Sequence, residues 1–107
     1  MIDAHISEKD WTQTVLDALR VQGWFAYHTF DSRRSEPGFP DVVAVHPARK
    51  QILWVELKTA KGKLSAAQEA WGKALRDTGA DYRVWRPADW DEVIATARGT
   101  WNNTKAT

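Results

Sequence analysis

Cysteine is absent from this 107-residue sequence. Disulfides, thiolate-ligated zinc sites and a cysteine nucleophile are therefore excluded. The sequence also lacks an apolar run long enough to cross a bilayer, and its first residues lack the basic and apolar segments of a signal peptide. We therefore expect a cytoplasmic protein.

Net charge is also small, at +1, which by itself argues only weakly for a polyanionic partner. The charges are unevenly spread, because residues 31–76 carry nine Lys/Arg against five acids, a balance of +4 that leaves −3 for the rest. Basic charge gathered in one region favours attraction to a phosphate backbone, which supplies most sequence-independent affinity for nucleic acid. For any one of these side chains, an ordinary solubilising surface is the alternative.

The length leaves room for one domain with a single core and none for a separate substrate domain. We place that domain at residues 1–98 and a polar C-terminal tail at residues 99–107. Any active site must then lie largely at the domain surface.

Residues 51–59 alternate between apolar and polar side chains with the period of a β-strand. The alternation divides them between two faces, with Leu53, Val55 and Leu57 on one and Trp54, Glu56 and Lys58 on the other. A second short, β-branched strand opens at Asp41 and runs over residues 41–45. A turn through residues 46–50 would pair the two strands as a hairpin.

Such a hairpin brings the carboxylates of Asp41 and Glu56 together. Carboxylate oxygens meeting at one point are ligands that Mg²⁺ prefers, with waters and a substrate phosphate completing the shell. Lys58 would lie beside that ion. The turn at residues 38–40 supports this hypothesis, because proline fixes its own φ and holds the residue before it extended. The alternative is that Glu56 and Lys58 form an exposed ion pair of little energetic weight.

Hydrophobic periodicity and end signals predict the order α-β-β-β-α-β-α, with a mixed sheet and helices on both faces. The predicted helices cover residues 7–23, 65–79 and 89–97. The predicted strands cover residues 24–30, 41–45, 51–59 and 82–86. Each helix begins with a capping-box pattern, at Ser7, Ser65 and Asp89.

This order, with Pro-Asp at residues 40–41 and Glu-x-Lys at residues 56–58, resembles the PD-(D/E)xK nuclease superfamily. The closer resemblance is to its virus-type replication-repair nuclease (VRR-NUC) branch. It spans residues 7–97 and is most specific over residues 28–41 and 56–68. The resemblance implies an α/β fold with a restriction-endonuclease-like core and Mg²⁺- or Mn²⁺-dependent cleavage of DNA phosphodiesters. It also implies a homodimer acting on branched DNA, akin to Holliday junction resolvases.

The resemblance further implies roles for individual residues. Asp41 and Glu56 would be metal ligands, helped by the backbone carbonyl of Leu57, and Lys58 would be the catalytic lysine. Glu8 falls where the family places a further acid that reaches the metal, commonly through water. Alternatively, Glu8 only stabilises the first turn of its helix through the macrodipole.

Five other residues are candidates with weaker support. Gln68 falls where several of these nucleases carry a polar residue of the active site, although it is also the third residue of a capping box. The candidate DNA contacts are Arg33, Arg34, Lys61 and Lys63. Loops next to active sites modestly favour phosphate contacts over simple solvation.

Two other functions stay open from the sequence. One is a DNA-binding or assembly module that keeps the fold without catalysis, against which the intact Asp41, Glu56 and Lys58 count. The other is a nuclease subunit that cuts only within a larger complex.

Three further expectations concern packing. We expect the dimer interface around the last strand and the last helix, near Trp85 and Trp90. His28 is predicted to be buried within its aromatic strand. Trp54 is predicted to pack beneath the first helix rather than to stack near the substrate.

Overall fold

The structure, a computed structural model, describes residues 2–29 and 34–100 and has the predicted order of elements, α-β-β-β-α-β-α. The helices are α1 (Glu8–Val21), α2 (Ala66–Asp77) and α3 (Trp90–Arg98). The strands are β1 (Phe25–His28), β2 (Val42–His46), β3 (Gln51–Leu57) and β4 (Asp81–Trp85). Short 3-10 turns occupy Pro47–Arg49 and Pro87–Asp89. Within the described ranges, every helix is too short or too polar to span a bilayer.

The strands form a mixed sheet in the order β1-β2-β3-β4. Strands β1 to β3 pair antiparallel, whereas β3 and β4 pair parallel. A parallel pair needs a crossover connection, which α2 provides. The predicted hairpin is confirmed, because Val42 pairs with Val55 and Lys50 closes the turn with a left-handed φ of 56°. The predicted mixed α/β fold is confirmed as well.

One face of the sheet packs against α1 and α3 and forms the main core. The buried side chains of this core include Trp11, Val15, Leu19, Val42, Leu53, Val55, Trp85 and Val93. Three indoles in it are hydrogen-bonded: Trp11 Nε1 donates to the carbonyl of Trp85 at 3.2 Å, Trp24 Nε1 donates to that of Ala97 at 3.0 Å, and Trp85 Nε1 donates to Glu92 at 2.9 Å. The N–H groups that these large rings carry into the core are therefore satisfied.

The opposite face carries α2 and an aromatic cluster. The ring of Phe39 packs edge-on against Trp54 at 6.1 Å and against Trp71 of α2 at 5.1 Å between centroids. The prediction that Trp54 packs beneath α1 is therefore wrong. Strand alternation sends Trp54 to the face opposite Val55, whose side chain lies in the core under α1.

The first strand differs from its prediction. It covers only Phe25–His28, Trp24 is buried before it begins, and Phe30 lies outside the described residues. His28 is exposed, so the prediction of a buried histidine is wrong. The reason is that β1 pairs with β2 alone and lies at the edge of the sheet. The side chain of His28 instead lines a surface groove beside Glu8 in α1.

The helix ends follow the sequence signals only in part. The Oγ of Ser7 accepts a hydrogen bond from the backbone N of Asp10 at 3.1 Å, as an N-cap should. The predicted capping box at Asp89 is wrong. A 3-10 turn precedes α3, so the Asp89 carboxylate accepts instead from the backbone N of Arg86 at 2.8 Å. The Glu92 carboxylate, expected to complete the box, accepts from Trp85 Nε1 at 2.9 Å.

The last helix closes at Gly99, which has a φ of 81°. The backbone N of Thr100 donates to the carbonyl of Ala95 at 2.8 Å. The first two residues of the predicted polar tail are therefore bonded to α3, and residues 101–107 lie outside the described part of the chain.

Candidate active site

The β2–β3 hairpin brings Asp41 and Glu56 side by side. Asp41 lies immediately before β2, and Glu56 is the sixth residue of β3. The Oδ2 of Asp41 accepts a hydrogen bond from the backbone N of Leu57 at 2.9 Å. The two carboxylates therefore converge as the sequence predicted.

The turn before Asp41 is fixed against α2. A Cβ added at Gly38, whose φ is 85°, would lie 2.4 Å from the carbonyl carbon of Ala67, so only glycine fits this close approach. The next residue, Phe39, is held between the two tryptophans of the aromatic cluster. Asp41 thus enters the strand from an ordered turn, as the Pro40 signal indicated.

Glu56 is a buried carboxylate with an incomplete set of partners. Its side chain is 1% exposed, and its Oε2 accepts from Gln68 Nε2 at 2.9 Å, while its buried Oε1 has no hydrogen-bond partner. Burial, followed by the negative charge of neighbouring Asp41, raises the pKa of Glu56 to about 8. Glu8 adds to this increase, and the Lys58 ammonium opposes it.

The side chain of Gln68 serves two elements at once. Its Oε1 accepts from the backbone N of Ser65 at 2.8 Å, and the Oγ of Ser65 accepts from the backbone N of Gln68 at 3.1 Å. This is the predicted capping box of α2. The Nε2 of the same amide donates to Glu56. The two interpretations of Gln68 left open by the sequence are therefore compatible.

Lys58 directly follows β3 and points toward the same carboxylates. Its Nζ lies 3.8 Å from Glu56 Oε2, and its side chain is 18% exposed. Its backbone N donates to the carbonyl of Trp85 at 3.0 Å, which continues the parallel pairing of β3 with β4. The ammonium is therefore held near the carboxylates from a fixed backbone position.

Arg86 holds the loop that follows Lys58, and sequence reasoning missed this role. Its Nη1 donates to the carbonyl of Thr59 at 2.7 Å and to that of Gly62 at 2.6 Å. Both carbonyls belong to residues that line the candidate site. A single arginine after the last strand carries no local signal for this contact, because the loop is 24 or more residues away in sequence.

A small surface cavity of about 130 Å³ joins these groups. The residues that line it are Glu8, Asp41, Glu56, Leu57, Lys58, Thr59, Gly62 and Gln68. Glu8 is exposed in the first turn of α1 and therefore reaches the same cavity from another element. The structure thus brings together every residue that the sequence suggested for catalysis or metal binding.

The donor set suits a divalent cation with a partly hydrated shell. The Asp41 carboxylate and the buried carboxyl group of Glu56 lie in contact, and a cation would take the place of the proton that Glu56 keeps up to about pH 8 in the metal-free protein. Mg²⁺ is usually bound by one or two carboxylates and keeps several waters. Among residues 2–29 and 34–100, no three His, Asp or Glu side chains are grouped closely enough to hold one ion together. A site built on Asp41 and Glu56 would therefore depend on waters for most of its other ligands.

The candidate DNA contacts surround this cavity unevenly. Lys61 and Lys63 are exposed on the loop that follows Lys58. Arg34 is exposed in the turn before Asp41, and Arg33 lies outside the described residues. The DNA contacts of these four residues therefore stay predictions.

The edge expected to form a dimer interface is mostly buried within one copy. Trp85 is fully buried, and its Nε1 donates a hydrogen bond to the Glu92 carboxylate. Trp90 is half buried and packs edge-on against Trp11 at 6.0 Å between ring centroids. The expectation that Trp85 offers an exposed contact is therefore wrong, because the parallel pairing with β3 places its ring in the core.

Comparisons with known proteins agree with the fold. The sequence model of the VRR-NUC domain matches residues 4–89. A solved structure described as a VRR_NUC domain is similar at a TM-score of 0.67 and 24% identity, over 81% of this chain and 92% of that chain. A solved structure of Archaeoglobus fulgidus Hjc, a Holliday junction resolvase from an archaeal hyperthermophile, has a TM-score of 0.53 and 25% identity, over 73% of this chain and 67% of that chain. No curated protein sequence matches the chain. The fold is thus that of a nuclease.

Proposed function

This chain belongs to the VRR-NUC domain family, and on that premise we propose that it is a Mg²⁺- or Mn²⁺-dependent DNA endonuclease. Its substrates are branched or otherwise structured DNA, such as Holliday junctions. The likeness to the archaeal resolvase supports this choice of substrate. The reaction is hydrolysis of a phosphodiester bond.

One observation carries the proposal: the buried, under-bonded carboxylate of Glu56 lies against Asp41, with an ammonium 3.8 Å away. A structural ion pair would satisfy both oxygens of a buried glutamate, since an unpartnered buried carboxylate oxygen is costly. In this protein, the unpartnered oxygen of Glu56 lies at a cavity that is open to the surface. Such an arrangement is typical of a site prepared for a cation and a substrate.

Asp41, Glu56 and the backbone carbonyl of Leu57 would hold the ion, with Glu8 reaching it through water. When bound, the ion would neutralise charge on the scissile phosphate and lower the pKa of a bound water. Lys58 orients the attacking water or stabilises the negative charge that develops on the phosphate oxygens. Gln68 supports this role by fixing the orientation of the Glu56 carboxylate.

We also propose that the active form is a homodimer. A four-way junction has two-fold symmetry and is resolved by paired cuts, so one small domain with one site needs a second copy to make both. Closed two-fold symmetry is the commonest assembly for soluble proteins. Lys61, Lys63, Arg33 and Arg34 would contact phosphates on either side of the scissile bond.

The test is incubation of the purified chain with labelled forks, flaps, four-way junctions and linear duplexes in Mg²⁺, Mn²⁺ or EDTA. We expect metal-dependent cleavage with a preference for branched substrates. Binding without cleavage in either metal would support the non-catalytic module instead. Cleavage that appears only when cell extract is added would support a subunit of a larger complex.

The Lys58→Ala variant separates chemistry from binding. We expect the cleavage rate to fall by about two orders of magnitude or more, because a charge that stabilises the transition state is lost. DNA affinity and the unfolding temperature should change little, since the Lys58 ammonium lies 3.8 Å from Glu56 Oε2, which is longer than a direct hydrogen bond. Wild-type turnover in this variant would remove Lys58 from the mechanism, and loss of DNA binding alone would make it a phosphate contact.

A further inference from the structure

Part of the sheet face that carries Glu56 is not covered by α2. That helix packs chiefly on β4, where Gly72 lies against the ring of Tyr82. The register places two cross-strand rows on the uncovered part, Phe25–Val45–Ile52 and Tyr27–Val43–Trp54. We call the part of these rows outside the aromatic cluster the β1 face: the exposed Phe25, Tyr27 and Ile52 and the half-buried Val43 and Val45.

The β1 face is exposed and apolar. Phe25 is 69% exposed, Tyr27 58% and Ile52 51%. A shallow cavity of about 490 Å³ lies over Phe25 and Tyr27. A contiguous apolar patch with two exposed aromatic rings is unusual on a free soluble surface and indicates a contact site.

We propose that the β1 face is the interface on which a second copy of this chain packs, face to face about a two-fold axis. The proposal deepens the homodimer proposed above and rests on it. It also replaces the expected edge near Trp85 with an opposite edge of the sheet.

Packing face to face is favoured over joining the two sheets edge to edge. Strand β1 lies at the open edge of the sheet, where a second strand could in principle add. The guanidinium of Arg20 occupies part of that edge, because its Nη2 donates to the carbonyl of Ala26 at 3.0 Å. The apolar side chains of the β1 face stay free, so they provide the contact.

The charge of the β1 face favours protein over nucleic acid. Phosphate groups need Lys or Arg for most of their binding energy. The cation that lines the cavity over this face is Arg20, and its guanidinium is already bonded to a backbone carbonyl. Exposed Lys61 and Lys63 lie instead on the loop beside the candidate active site. An apolar, uncharged surface is matched by an identical copy of itself, whereas basic residues stay available for DNA.

The size of the face suits a small interface. An aromatic side chain can bury roughly 200 Å². At their exposures, Phe25 and Tyr27 together therefore offer roughly 250 Å², about a third of one partner's share of a standard interface. The flanking apolar side chains and a polar rim would supply the rest, so we expect a dimer that dissociates at micromolar concentration.

A two-fold contact here would also leave the active-site residues of both copies outside the interface. Ile52 and Glu56 are four residues apart in β3, which corresponds to roughly 13 Å along the strand. Each site would lie beyond the interface on the same sheet face that forms it.

Another apolar cavity gives a matched control. It measures about 560 Å³, lies beside Trp90, and is lined by the exposed Ala88. Placing a glutamate at Ala88 therefore introduces the same charge at the rival face. Phe25→Glu introduces it at the β1 face, and Phe25→Thr removes the ring while keeping good strand propensity.

The experiment is sedimentation equilibrium of the wild type and these three variants in EDTA without DNA, from about 1 to 200 μM. We expect a wild-type dimer, a dissociation constant raised at least about 30-fold by Phe25→Glu and clearly raised by Phe25→Thr, and no change for Ala88→Glu. Far-UV circular dichroism checks that each variant is folded. Because mass is read without metal or DNA, the outcome does not depend on nuclease activity.

Three results would overturn the proposal. A wild-type chain that is monomeric throughout excludes the interface. Dissociation by Ala88→Glu but not by the Phe25 variants assigns the interface to the Trp90 side. A monomeric wild type whose affinity for a labelled single-stranded oligonucleotide falls in Phe25→Thr makes the β1 face a base-stacking surface instead.

Discussion

In the metal-free protein, the Glu56→Gln variant is expected to lose the part of the pH dependence of the free energy of unfolding that Glu56 causes. Burial and the adjacent Asp41 carboxylate raise the pKa of Glu56 from 4.5 to about 8. Between these values the folded protein keeps a proton that the unfolded chain releases. The stabilising contribution is therefore complete below about pH 4.5 and is lost as pH rises through about 8.

The size of the effect follows from those two pKa values. One unit of difference corresponds to about 1.4 kcal/mol between the two protonation states. From about pH 5.5 to about pH 8.5, the contribution of Glu56 to the free energy of unfolding falls by about 3 kcal/mol. That is a large share of the 5–15 kcal/mol typical of a whole domain, at roughly 0.1 kcal/mol per residue. Gln has the same shape and no charge, so the variant lacks this loss.

The assay is urea unfolding of the wild type and Glu56→Gln in EDTA at several pH values. The difference between their unfolding free energies isolates Glu56 from the other titrating groups. Glu69→Gln is the matched control, because Glu69 is an exposed acid in the first turn of α2. Parallel pH profiles for the wild type and Glu56→Gln would refute the reasoning.

Adding Mg²⁺ or Mn²⁺ near pH 8 extends the same experiment. A cation that binds the folded state between Asp41 and Glu56 raises the free energy of unfolding by mass action. We expect this increase in the wild type and its loss in Glu56→Gln. An equal increase in both proteins would place the cation elsewhere.

Three further predictions concern single side chains. Asp41→Asn should lose most Mg²⁺ or Mn²⁺ affinity in calorimetry, and unchanged binding would remove Asp41 from the metal site. Arg86→Ala should lower the turnover number more than it changes KM and should destabilise the fold by about 1–3 kcal/mol, because two charge-assisted hydrogen bonds to the Lys58 loop are lost. Arg86→Lys should restore part of the turnover number and part of the stability. Gly72→Ala should lower the melting temperature, although alanine favours helix, because its Cβ would lie 2.8 Å from the Tyr82 ring. A higher melting temperature would contradict that packing argument.

The hairpin and its two carboxylates could be predicted because their signals are local. Alternation fixed which residues of β3 share a face, and a short β-branched run fixed the neighbouring strand. Because the turn between the two strands is short, antiparallel pairing brings Asp41 and Glu56 together. The observed register, in which Val42 pairs with Val55, places the two acids next to each other.

The parts that were missed depend on where distant elements cross. Arg86 reaches the Lys58 loop only because β4 lies parallel to β3, and periodicity does not specify which loop a strand end meets. His28 follows an aromatic run that indicates burial, yet its strand lies at the sheet edge and leaves it exposed. Trp85 was expected near an exposed edge around the last strand, whereas its pairing with the buried Leu57 places its ring on the core face of the sheet.

The side-chain amide of Gln68 links the orientation of the Glu56 carboxylate to the first turn of α2. The first turn of a helix frays more readily than its middle, and such openings cost far less than global unfolding. Whenever the first turn of α2 opens, the Nε2 donor is withdrawn from Glu56 and the carboxylate loses its hydrogen-bonded orientation. We therefore expect local opening at the start of α2, measurable by amide hydrogen exchange, to determine how often the Glu56 carboxylate has this orientation. Heat could disorder the site while the sheet beneath it is still intact.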